Sequence, residues 1–316
     1  MNLVIRPYIR GQDEQARIDI YNRSHAGDED FVPSKLEDVL RWDQSPEEPH
    51  RRRFIAELDG IPVGVAFGNV DPHRAEPKGF LSGPHIAPEQ RRKGVGTALA
   101  RRVFEDLRER GMRQVETGER DQPATNGFLT SLGFSVTRIF SIMRRRLDAV
   151  PPAPGLPDGA EIGLAEPIEE VLKAVLAIGN EAFKEHYNHR DFTLKEFEFL
   201  VRATTEEGTV THVQLARVDG VPVGYIWYGY DPREVAYLKK NRGGLWDLGV
   251  LKPYRCRGIA SYMMTTAMAH LKREGMDEVE LRVDDINVTN ARRLYEKLGF
   301  TLAYRELAWV LNLAGQ

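Results

Sequence analysis

"DGIPVG", Asp59 to Gly64, returns as "DGVPVG", Asp219 to Gly224, 160 positions further along the chain. An Asp-Gly pair between apolar, β-branched runs marks a two-residue hairpin, because both central residues of a type I′ turn need positive φ. The flanking strands match as well. "RRFIAEL" and "VQLARV" enter the two turns, "PVGVAFGNVDP" and "PVGYIWYGYDP" leave them, and the closing Asp-Pro recurs at Asp71 and Asp231. A hairpin repeated together with its exit is an internal repeat, so the chain reads as two copies of one unit.

The length of 316 residues accommodates two such copies, each large enough to bury its own core at 41% hydrophobic residues. A formal net charge of −3 leaves no cationic footprint for nucleic acid or a membrane surface. The single cysteine, Cys256, excludes an intramolecular disulfide framework and fits a reducing compartment. No apolar run approaches the roughly 20 residues that span a bilayer, and "MNLVIRPYIRGQDEQ" lacks the zones of a signal peptide. The expectation is a soluble, cytoplasmic protein with no nucleic-acid and no membrane partner; its oligomeric state is not legible.

Between the copies, "LDAVPPAPGLPDGAEIG" (Leu147 to Gly163) interrupts any helix or central strand with proline and glycine. It divides the chain into an N-terminal domain, 1–147, a linker, 148–160, and a C-terminal domain, 161–316. Each half opens with a strand, a helix and the hairpin. Each continues with an apolar strand, a glycine turn, an amphipathic helix ending near Gly111 or Gly275, another strand, a short helix and Leu-Gly-Phe, at Leu132–Phe134 and Leu298–Phe300. Strands and helices in this order imply a mixed α/β (α+β) layer fold used twice.

The glycine turns read Arg91-Arg92-Lys93-Gly94-Val95-Gly96 and Arg255-Cys256-Arg257-Gly258-Ile259-Ala260, each between a strand and a helix. Small residues there let a ligand approach the backbone, and the free N–H groups of a helix's first turn converge on an anion. Flanking arginines suit phosphate. No Gly-Lys-(Ser/Thr) closes either turn and neither is Gly-x-Gly-x-x-Gly, which excludes the Walker and Rossmann loops.

The order of elements, with "GVLKPYRCRGIA" and "NVTNARRLYEKLGF", resembles the GCN5-related N-acetyltransferases (GNAT), and most closely the tandem, mycothiol synthase-like branch. The resemblance implies two tandem domains, each a central mixed, largely antiparallel sheet flanked by helices. It also implies acetyl-CoA as acyl donor, its diphosphate held by Arg255 through Ala260 and, in the first copy, by Arg91 through Gly96. Leu248, Gly249 and Val250 match the strand on which the family has a bulge near Val250, a backbone N–H for the thioester carbonyl and pairing with pantetheine.

The copies differ where catalysis would act. Tyr295 stands where the first copy has Leu129; the resemblance makes it the acid that protonates the leaving thiolate. Asn287 aligns with Asp121 and is implied to contact the cofactor. Asp247, in "GLWDLGV", aligns with Gly83 of "FLSGPHI"; a carboxylate in an apolar strand is either a paired structural group or the base, for which a water chain is the alternative. In "EAFKEHYNHRDFT", His186, Tyr187 and His189 are candidates for the acceptor side, with surface capping residues as the alternative. No Cys/His set with metal spacing accompanies them, so no metal is expected. Cys256 is read as a loop filler, and Met263, Met264 and Met268 as helix core. The expected activity is acetyl transfer from acetyl-CoA to a primary amine of a small molecule, with the chemistry in the C-terminal copy and the N-terminal copy degenerate. The alternative is a non-catalytic acyl-CoA sensor or interaction protein.

Overall fold

A computed structural model describes residues 2–286 and 291–315. The chain forms two compact units, one of residues 1–137 with 307–316 and the other of residues 138–306.

In the first unit the elements are β1 (Leu3–Pro7), α1 (Glu14–His25), α2 (Leu36–Trp42), β2 (Arg51–Leu58), β3 (Ile61–Val70), β4 (Lys78–Ile86), α3 (Val95–Glu109), β5 (Gln114–Arg120), α4 (Pro123–Ser131) and the start of β6 (Ser135–Arg146). The second has the rest of β6, then β7 (Ala160–Ala165), α5 (Glu169–Ala182), α6 (Leu194–Glu206), β8 (Val210–Val218), β9 (Val221–Tyr230), α7 (Pro232–Leu238), β10 (Arg242–Val250), α8 (Ile259–Arg273), β11 (Glu278–Asp284), α9 (Ala291–Lys297) and the first half of β12 (Thr301–Asn312).

The repeat is structural. β2–β3 and β8–β9 are antiparallel hairpins whose turn residues all have positive φ: Asp59 50° and Gly60 81°, Asp219 51° and Gly220 80°. In both units the strands run antiparallel from the first through the fourth, and the fourth pairs in parallel with the fifth, β4 with β5 and β10 with β11. The mixed, largely antiparallel sheet expected for each copy is therefore present.

The boundaries differ from a division at residue 147. Residues 140–146 of β6 pair with β11, Phe140 opposite Asp284 and Arg146 opposite Glu278, so the strand that ends the first copy in sequence completes the second unit. Conversely, the chain from Leu307 on joins the first unit, where Leu313 N–H donates to the Arg113 carbonyl at 2.8 Å. An alternating strand pattern says which face is buried and leaves its pairing partner open.

Helices cover both faces of the second unit's sheet. On one, Met263, Met264, Ala267, Met268 and Leu271 of α8 pack on Val223, Ile226 and Tyr228, all at most 1% exposed. On the other, Val171, Val175 and Ile178 of α5 meet Val213, Leu215 and Tyr225. Each fully buried side chain of this size contributes about 1.5–3 kcal/mol, so the methionine cluster is core, as its helical spacing implies. Among the described residues no helix is long and apolar enough to cross a membrane.

Candidate active site

The second unit's cleft begins where two parallel strands part. β10 and β11 pair over three residues only, Arg242 with Glu278 through Gly244 with Glu280. Beyond that point both strands line a cleft of about 1120 Å³, Leu245 to Val250 from β10 and Leu281 to Asp284 from β11, closed at one end by Gly258, Ile259 and Ala260 at the start of α8. The edge of β10 that β11 leaves behind is backbone open to a ligand strand.

A bulge decides which way the cleft's carboxylate points. Leu245 lies opposite Tyr228 and Asp247 opposite Trp227, so Trp246 is an extra residue in β10. With regular alternation Leu245 and Asp247 would share a face. The extra residue leaves Leu245 in the α8-side core, 7% exposed, and turns Asp247 to the opposite face. The expected bulge near Val250 is thus four residues earlier, at Trp246. Val250 itself lies in regular register opposite Gly224.

On that face Asp247 meets Tyr225, whose hydroxyl donates to Asp247 Oδ2 at 2.5 Å. Tyr225 is 2% exposed, and glycine makes its room: a Cβ on Gly249 would lie 2.8 Å from Tyr225 Cε1, and one on Gly179 of α5 2.8 Å from its hydroxyl. Asp247 is accessible from the open cleft yet recessed among protein atoms. This setting pushes its carboxyl up to about 6, against the opposing hydrogen bonds from Tyr225 and the Leu248 backbone. Tyr295 on α9 lines the same cleft, half-buried; burial, then the Asp247 charge, pushes its phenol up to about 12. Near neutral pH the cleft therefore holds a carboxylate poised to take a proton and a phenol that keeps its own.

The two glycine turns share one backbone. Cys256 and Gly258 have φ 61° and 86°, Arg92 and Gly94 have φ 63° and 82°, and neither helix that follows is capped by a side chain. Leu248, Gly249, Val250, Arg255, Cys256, Gly258, Ile259 and Ala260 all line the cleft. The exposed Cys256 thiol is free. A diphosphate fits this end through backbone N–H groups at an uncapped helix start, where Gly258 holds a positive φ. The arginines act differently from expectation. Arg255 donates to the Val250 and Ala182 carbonyls at 3.0 and 2.9 Å, and Arg91 to those of Ile86 and Ser24 at 3.4 and 2.5 Å, so each clamps its own loop to the strand end and to α5 or α1. Arg257 stacks over Tyr254 at 5.5 Å, and Lys93 donates to Gln90 Oε1 at 2.9 Å.

Of the acceptor-side candidates, His186 lines the cleft, and burial holds its imidazole below the usual range. Tyr187 instead packs beside Phe140 with the Arg138 guanidinium 5.0 Å from its ring centre, and His189 pairs with Asp191 at 3.0 Å; neither lines the cleft. Asn287 lies outside the described residues. Sequence reasoning missed Tyr225, although the signal was there: Tyr225 replaces Val65 at one register of the repeated hairpin. It also missed Trp246, an indole 47% exposed at the cleft and lying over Gly244 and Gly229.

The family model described as acetyltransferase (GNAT) matches residues 17–134 and 172–300, one match in each repeat. Among curated relatives, the mycothiol acetyltransferase of Thermobispora bispora is 31% identical over 80% of this chain and 81% of its own, and that of Salinispora arenicola is 30% identical over 87% and 86%. Among solved structures, a tandem GNAT protein from the clavulanic acid biosynthesis pathway superposes over 100% of both chains with a TM-score of 0.77 at 14% identity. A GCN5-related N-acetyltransferase from Sphaerobacter thermophilus covers 98% of this chain and 96% of its own, with a TM-score of 0.66 at 23% identity. With a repeat, a parted pair of strands and an uncapped glycine turn in the places where two family matches fall, the chain belongs to the acetyltransferase (GNAT) family, as a tandem acyltransferase.

Proposed function

We propose that the second unit transfers acetyl from acetyl-CoA to the primary amine of a small molecule by direct attack within a ternary complex. The reading rests on one observation, a carboxylate, Asp247, and a phenol, Tyr295, lining a single cleft with the glycine turn at its end. When bound, acetyl-CoA supplies a thioester carbon for the amine and a sulfur that leaves as thiolate. The turn from Arg255 to Ala260 holds its diphosphate, and the open β10 edge at Leu248, Gly249 and Val250 receives the pantetheine arm. Asp247 Oδ takes the proton that the ammonium sheds, with Tyr225 orienting the carboxylate. The Tyr295 hydroxyl gives its proton on the sulfur side and recovers one from solvent.

The curated relatives are named mycothiol acetyltransferases, and the acceptor we infer is a small thiol-bearing amine such as a cysteinyl sugar, entering past His186 and Trp246. The first unit serves as a CoA-binding or structural partner. The test is product mass after incubation with acetyl-CoA and a panel of amines that includes a cysteinyl glucosaminide. Wild type should acetylate that amine, and Tyr295→Phe should lower turnover about 100-fold with acetyl-CoA affinity retained. Binding without turnover on any amine would make the protein an acyl-CoA sensor, and absence of binding would sink the proposal.

A further inference from the structure

At the far end of α8, about 18 Å along the helix from Gly258, lies a polar cluster that the acyl-transfer cleft does not include. His212 of β8 places Nε2 2.9 Å from Glu274 Oε2, and His270, one turn before Glu274 on the same helix face, places Nε2 3.9 Å from Oε1. The imidazole rings stand 4.5 Å apart. Among the described residues this is the one set of three His, Cys, Asp or Glu whose ligand atoms lie within 4.8 Å of one another.

We propose that His212, His270 and Glu274 form a zinc site that clips the C-terminal end of α8 to β8, with water as fourth ligand. Four ligands at Zn–N and Zn–O bonds of about 2.0–2.1 Å lie about 3.3 Å apart at the corners of a tetrahedron; here one Glu274 oxygen stands 2.9 Å from His212 Nε2 and the other 3.9 Å from His270 Nε2, with all three ligand atoms within 4.8 Å of one another. All three side chains are 18–25% exposed, which leaves a side open for water. The Tyr228 hydroxyl lies 2.8 Å from His270 Nδ1, the outer partner that a ligating histidine uses to fix its ring and direct Nε2 at a metal. Behind Tyr228, Gln214 donates to the hydroxyl at 3.2 Å and accepts from Thr266 at 2.8 Å. Turning the Gln214 amide by half a turn reverses this chain, so that His270 Nδ1–H donates to Tyr228 and Nε2 presents its lone pair. The carbonyl end of α8 adds partial negative charge.

The first unit closes the same place without a ligand set. Arg52, Asp106 and Arg110 occupy the equivalent positions, with Asp106 2.8 Å from Arg52 and 3.3 Å from Arg110. The fold thus needs only charge complementarity there, and the second unit replaces an Arg-Asp-Arg triad with two imidazoles and one carboxylate.

The experiment is titration of the chelator-treated full chain with Zn²⁺ against a chromophoric chelator, and with Co²⁺ followed by visible absorption. Expected are one zinc per chain with Kd in the low micromolar range or tighter, intense four-coordinate Co²⁺ bands, and at least 30-fold weaker binding in His212→Asn and in His270→Asn. Zinc at 100 times its Kd should raise the wild-type Tm by about 5 °C and leave that of either variant unmoved. Glu274→Gln, which keeps size and a hydrogen-bonding oxygen, supplies the same test should a histidine variant fold poorly. Binding weaker than about 100 μM, faint six-coordinate Co²⁺ bands, or isotherms that the substitutions leave unchanged would overturn the site.

Discussion

The two units carry one backbone plan and opposite side-chain choices in it. At one register of the third and fourth strands the second unit pairs Tyr225 with Gly249, and the first pairs Val65 with His85. Volume is roughly conserved across the pair while chemistry moves from one strand to the other. The second unit thereby gains a phenol aimed at Asp247. In the first, His85 is half-buried, and desolvation followed by the neighbouring His25 pushes its imidazole down to about 3, with its Nδ1 3.0 Å from His25. Where the second unit has Asp247, the first has Gly83 at φ 80°, and a Cβ there would stand 2.8 Å from the His85 backbone nitrogen. A side chain at position 83 is therefore strained whatever its chemistry, so the first unit's backbone disfavours a carboxylate where the second carries Asp247. Leu129, in place of Tyr295, is 2% exposed and is simply core.

The comparison breaks most visibly at Asp247. Asp247→Asn should lower acetyl transfer about 100- to 1000-fold with acetyl-CoA affinity retained, measured as steady-state turnover and calorimetric binding; undiminished turnover would assign the proton to a water chain. Next in size, Leu129→Ala should cost the first unit about 3 kcal/mol, whereas Tyr295→Phe should cost the second under about 1 kcal/mol. Denaturant unfolding of both variants separates core from cleft. Gly249→Ala should destabilise the second unit by about 1–3 kcal/mol and lower turnover, because the new methyl displaces the Tyr225 ring; an unchanged Tm would mean the ring yields freely. The smallest effect is expected for Tyr225→Phe. Turnover in the wild type should fall as pH drops through about 6, where Asp247 protonates. Removing the hydrogen bond that favours the carboxylate should move that limb to higher pH. A limb that stays in place would detach Tyr225 from Asp247.

Much of this is legible in the sequence. The Asp-Gly hairpins announced the repeat, because few residue pairs accept two consecutive positive φ angles. The glycine turns announced the positive-φ loops that precede α3 and α8, and Tyr295 against Leu129 marked a place where the two copies differ. The roles of the arginines were not legible, since Arg255 suits a phosphate and a pair of backbone carbonyls equally well by its chemistry.

Local features, then, were determined by sequence: turn geometry, helix amphipathicity, the apolar faces of strands, and the separation of the copies by a proline-rich link. Tertiary structure decided what depends on pairing and on distance. It gave the end of each copy to the other unit, since an alternating strand carries no label for its partner. It turned Asp247 toward Tyr225 through one extra residue in β10, which no spacing rule locates. It also brought His212 within ligand distance of His270 and Glu274, residues far apart in the chain that only a strand laid against a helix end can gather.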